Sequence, residues 1–114
     1  MNVQNVPDAK RFDPVKPTKT NLFESERMFC DVYCLSPGQE QRAHVHEDSD
    51  KVYFVIEGCG RFEIGGETRE IGENNLVCVP CGIEHAVRNS SSTPLTLLVT
   101  LAPHPNYVRK RSET

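Results

Sequence analysis

A chain of 114 residues has the size of one ordinary domain, and its formal net charge of -3 leaves no electrostatic footprint for nucleic acid, which requires a basic stripe. The only basic run, Arg109-Lys110-Arg111, lies at the C-terminus and reads as a solvated tail. No N-terminal run is apolar enough for a secretion signal, and no stretch approaches the ~20 apolar residues of a membrane span, so a soluble, cytoplasmic protein with no membrane partner is expected. The five cysteines agree: an odd count suits free thiols in a reducing compartment better than a disulfide scaffold.

Residues 1–21 are polar, carry Pro7, Pro14 and Pro17, and show no period of 2 or 3.6, which predicts an extended arm. Such an arm is either loose or adds an edge strand, within the chain or across to a neighbouring subunit. Met28 to Leu35 alternates with apolar character on both faces, as a barrel or sandwich wall does. Ser36-Pro37-Gly38 ends that strand with turn chemistry. Ala43 to His46 is short and extended, and Lys51 to Glu57 is rich in β-branched and aromatic residues. Arg61 to Ile64 and Glu67 to Ile71 flank Gly65-Gly66, a hairpin signal. Leu76 to Val79, His85 to Asn89 and Leu95 to Leu101 complete the strands, and Pro103 and Pro105 stop the last one. Short strands separated by Gly and Pro, with no helical stripe, predict an all-β single-domain antiparallel barrel or jelly roll. The expected division is an arm at 1–21, a barrel at 22–105 and a polar tail at 106–114.

Three of the four histidines fall into two separated strand-like segments, Gly38-x₅-His44-x-His46 and Pro80-x-Gly82-x₂-His85-x₃-Asn89. Histidines one residue apart on a strand share a face, and a third from a distant strand can complete a metal site with open positions. Neutral imidazole suits divalent iron, zinc, copper or nickel. The bland alternative is that these rings only hydrogen-bond inside the barrel. The fourth histidine, His104, lies between two prolines and is expected at the surface. Cys78 and Cys81 form a C-x-x-C across a strand end, without the helix N-terminus that redox activity favours. Cys30 and Cys34 read as small core hydrophobes, and Cys59, in a turn, as the most exposed thiol.

These two segments resemble the paired motifs of the cupin superfamily. Gly38, His44, His46 and Gly58 fall in register with the first, and Pro80, Gly82, His85 and Asn89 with the second. The resemblance implies a cupin-like double-stranded β-helix, a homodimer, a small-molecule ligand or substrate, and a divalent transition metal (iron, zinc, nickel, manganese or copper) on His44, His46 and His85. Two positions depart from the pattern. Asn74 replaces a turn glycine, which is benign because Asn tolerates a left-handed conformation. Lys51 stands where the family has a metal-binding glutamate, and an ammonium cannot ligate a metal.

Three neutral histidines leave a +2 centre, and cupins with three histidines, such as thiol dioxygenases, bind anionic chelating substrates. Lys51, if it points inward, then pairs with a substrate carboxylate or enolate; otherwise it snorkels to the barrel mouth or pairs with Glu47 or Asp50. A local bulge brings Asp50 in as a possible fourth ligand. Tyr53 shares the parity of Lys51 and either orients substrate or packs in the core with one hydrogen bond. Two functional readings remain: a mononuclear metalloenzyme, dioxygenase first, acting on a small anionic molecule, or a non-catalytic cupin that binds or senses a small ligand.

Overall fold

A computed structural model describes residues 1–107. Among these residues nine strands build two sheets in which every pairing is antiparallel. Strands β1 (Thr18–Glu24), β2 (Phe29–Leu35), β3 (Glu40–His44), β4 (Asp50–Glu57) and β5 (Gly60–Ile64) are followed by β6 (Glu67–Ile71), β7 (Leu76–Val79), β8 (His85–Arg88) and β9 (Leu95–Ala102). The larger sheet has the order β1-β2-β9-β4-β7 and the smaller β3-β8-β5-β6. The all-β barrel expected from the sequence is therefore present. No helix among the described residues is long and apolar enough to cross a membrane.

The core follows from strand alternation. Tyr53 and Val55 on β4 and Leu95, Leu97 and Val99 on β9 are fully buried, and Tyr33, Leu35, Phe62, Val79 and Val87 complete the cluster between the sheets. The opposite face of β2 is also covered. Val32 and Cys34 pack there with Ala9, from a single 3₁₀ turn at Val6–Ala9, and with Leu98. That explains the two-sided apolar character of β2.

Strand β1 begins at Thr18, inside the stretch expected as an arm, and pairs with β2 of its own chain. It carries Thr18, Lys19, Thr20 and Asn21, so neither period nor hydrophobicity marked it; pairing with β2 supplies what its side chains lack. The expected tail from residue 106 lies almost wholly outside the described residues.

Two further devices hold the frame. Gly58 has φ +87, and a Cβ there would lie 2.3 Å from the Pro94 carbonyl oxygen, so only glycine fits. Asn89 is fully buried. Its amide donates to the carbonyls of Leu35 (2.9 Å) and Thr93 (2.8 Å), and its oxygen accepts from the Ser91 amide and hydroxyl. The motif asparagine is thus a clamp between loops. Asn74 takes the left-handed turn conformation, φ 67, as its chemistry allows.

Candidate metal centre

His85 opens β8 and is 2% exposed. Its Nδ1 lies 2.9 Å from the Ile83 carbonyl oxygen. A carbonyl only accepts, so Nδ1 carries the proton and Nε2 carries the lone pair. That Nε2 is buried without a hydrogen-bond partner. His44 ends β3 and is fixed the same way, its Nδ1 donating to the Arg42 carbonyl at 2.9 Å. His46 lies just past the strand, in a loop tied to the Pro80–Gly82 turn by the Gly82 amide, which donates to the His46 carbonyl at 2.8 Å.

The three rings converge. Their centroids are 4.2 Å (His44–His85), 4.9 Å (His44–His46) and 5.7 Å (His46–His85) apart. One donor nitrogen from each lies within 4.8 Å of the other two. Burial holds all three below the ordinary imidazole value, and the positive charge of Lys51 reinforces this. His46 is pushed down to about 4. Neutral imidazoles with one nitrogen of each turned toward the others, the Nε2 of His85 buried and unpartnered, fit a divalent cation.

Lys51 points inward. It is 2% exposed, so it does not reach the barrel mouth, and no carboxylate lies within ion-pair distance of it among the described residues. Its Nζ lies 3.3 Å from His44 Nε2 and 3.5 Å from Gln41 Oε1. The faces of Tyr53 and Tyr33 cover it at 4.9 and 5.4 Å. Burial, and then the positive charge of Lys19, pushes its ammonium down to about 7. Tyr53 is fully buried, and its hydroxyl donates to Gln41 Oε1 at 2.7 Å. Burial pushes the Tyr33 phenol up to about 12, against a hydrogen bond to Gln41.

Asp50 stays outside this group. Its carboxylate is exposed and accepts from the Cys81 amide at 2.9 Å. His104, expected at the surface, is 8% exposed. Its ring lies 2.8 Å from a Glu24 carboxylate oxygen and packs edge-on against Phe29, because β9 runs back beside β2. The exposed thiols are Cys78 and Cys81, not Cys59, since Cys78 faces out from edge strand β7 and Cys81 sits in the following turn.

Gln41, Tyr33 and Lys19 escaped the sequence reading. Counting by twos from His44 puts Arg42 inside and Gln41 outside. A bulge in β3, where Gln41 pairs with Val87 and His44 with His85, resets the parity and turns Gln41 inward. Lys19 sits over the Tyr33 ring at 4.9 Å, on the unexpected strand β1.

A cupin domain model matches residues 31–101. The structure of TT1209 from Thermus thermophilus superposes with a TM-score of 0.87 and 42% identity, over 90% of this chain and 98% of that one. A 5-nitrosalicylic acid 1,2-dioxygenase of Bradyrhizobium is 33% identical over 61 residues, 54% of this chain, and the match spans only 29% of that protein. Mannose-1-phosphate guanylyltransferase ManC of Salmonella typhimurium is 30% identical over 64 residues, 56% of this chain, but the match spans only 13% of that protein. With its motif histidines gathered in a two-sheet β-barrel and the domain match covering most of its length, this chain belongs to the cupin family.

Proposed function

We propose that this chain is a metal-binding small cupin whose site takes a small anionic molecule, with dioxygenase-type oxidation at a mononuclear metal as its chemistry. The observation that carries this reading is the convergence of His44, His46 and His85, with the buried His85 Nε2 lacking any partner. A buried acceptor left unsatisfied costs about 1–3 kcal/mol, which a bound cation would relieve. A divalent transition metal there (iron, zinc, nickel, manganese or copper) supplies Lewis-acid and, for iron, redox chemistry. Lys51 contributes positive charge beside the histidines, and although Asp31 partly offsets it, no carboxylate among the described residues lies within ion-pair distance, so an anionic ligand is the complement. Lys51 is the substrate-contacting residue of this proposal, and Tyr53 holds Gln41 beside it. The likeness to a protein named as a dioxygenase supports oxidative chemistry over the shared segment.

A second reading, a non-catalytic ligand binder, is favoured by one observation: no carboxylate joins the three histidines as a proton acceptor among the described residues. An oxygen electrode separates the two. Iron-loaded protein given a panel of small hydroxy- and oxo-carboxylates should consume oxygen, and His85→Ala should not. Carboxylate retention without oxygen uptake favours the binder, and a protein that takes up no metal sinks both. We also infer a homodimer through the outer face of β4, where Val52, Phe54 and Ile56 are only half-buried, beside Leu76, 62% exposed on β7. Light scattering at a single-chain mass would contradict it.

A further inference from the structure

We propose that Lys51 is a latch on the metal centre: its ammonium occupies the His44 Nε2 lone pair until a small carboxylate draws it away, so that carboxylate and divalent metal bind with positive coupling. This rests on the metal-and-anion reading above and adds the device that joins the two ligands.

The argument begins with one lone pair. His44 Nδ1 faces the Arg42 carbonyl at 2.9 Å, so it must carry the proton, and Nε2 has a single lone pair in the ring plane. Lys51 Nζ lies 3.3 Å from that nitrogen. A lone pair accepts one proton donor or one metal ion, so metal coordination by His44 requires that Lys51 let go. No covalent bond is made or broken; one hydrogen bond is exchanged for one coordinate bond.

Lys51 then needs somewhere to go. No carboxylate lies within ion-pair distance of it among the described residues. Its other near neighbours are Gln41 Oε1 at 3.5 Å and two tyrosine faces. The oxygen of Gln41 also accepts from the Tyr53 hydroxyl at 2.7 Å, so it offers Lys51 only a long, shared contact. Lys19, over the Tyr33 ring, adds a second positive charge. The two ammonium groups together form an anchor for a carboxylate. A carboxylate seated there satisfies Lys51 and frees His44 Nε2 for the metal. A metal arriving first displaces the ammonium and makes the anion site more attractive.

Coupling of this kind is reciprocal, which makes it testable without turnover. Titration calorimetry with Co²⁺ and acetate as probes, on metal-stripped protein in a carboxylate-free buffer, reads it in both directions. Wild-type protein should bind Co²⁺ about tenfold more tightly with saturating acetate, and acetate about tenfold more tightly with saturating Co²⁺, the equivalent of one charge-assisted hydrogen bond. Lys51→Met should bind Co²⁺ more tightly than wild type in the absence of acetate, and acetate should then enhance Co²⁺ binding less. Lys51→Gln, which keeps a polar head without the charge, should show the same loss of coupling and serves if the Met variant does not fold. Equal coupling in wild type and both variants would mean that acetate acts by direct coordination alone, and the latch is wrong while the metal site stands. Failure of wild-type protein to bind one Co²⁺ per chain overturns the metal reading and the latch with it.

Discussion

Replacing Lys51 with methionine should stabilise the metal-free protein, and the gain should shrink as the pH rises. Burial lowers the Lys51 ammonium from its ordinary 10.5 to about 7. Between those values the unfolded chain holds a proton that the folded chain has lost. A state that binds more protons is disfavoured as pH rises, so wild-type stability increases through this window. At about 1.4 kcal/mol per pH unit, the full difference is about 5 kcal/mol below pH 7. Between pH 7.0 and 9.5 the wild type should regain about 3 kcal/mol of it. Methionine is an unbranched, uncharged side chain one atom shorter than lysine, so Lys51→Met lacks this rise. Urea unfolding of both proteins at the two pH values, with chelator present, measures the difference. That difference cancels contributions the two proteins share, such as the thiol of Cys59, which burial raises. The scan stops short of pH 10 because burial raises the Tyr33 and Tyr53 phenols, and their ionisation in the unfolded chain favours unfolding there. Parallel pH dependence in the two proteins, or a Met variant less stable than wild type at pH 7, refutes the reasoning.

A divalent metal at a hundred times its dissociation constant should stabilise the wild type by about 2.7 kcal/mol, and His85→Ala should remove this increment, read as the metal-induced change in melting temperature. Lys51→Glu replaces the competing ammonium by a fourth ligand of the family type and should tighten metal binding by at least about tenfold in direct titration. Tyr53→Phe deletes one buried hydrogen bond to Gln41 and should lower stability by about 1 kcal/mol while metal affinity stays unchanged. Asn89→Ala strands the Leu35 and Thr93 carbonyls and should cost about 2–4 kcal/mol in urea unfolding, with no specific effect on metal affinity in the folded fraction.

The barrel was legible because its strands alternate plainly: Lys51, Tyr53 and Val55 share a buried face of β4, and Leu95, Leu97 and Val99 share one on β9. The histidines were legible through spacing alone, since their type and separation survive any error in strand boundaries. What was lost depended on irregular backbone or on pairing. The β3 bulge inverts the parity of Gln41, and no residue in that stretch announces a bulge. Strand β1 owes its state to the β2 edge rather than to its own composition, so Lys19 went unplaced at the site. His104 reads as a surface residue between prolines, yet Glu24 and Phe29 enclose it from strands distant in sequence. Parity allowed Lys51 an inward position but left open the barrel mouth or a carboxylate partner. Only the folded structure shows it resting on His44 rather than on a carboxylate.

The account turns on whether His44, His46 and His85 share one cation, and anomalous diffraction from crystals grown with Co²⁺ measures that most directly. The expected result is a single anomalous peak about 2.0–2.2 Å from one ring nitrogen of each histidine, with Lys51 Nζ withdrawn from His44. A peak elsewhere, or no peak while Lys51 remains on the His44 nitrogen, contradicts it.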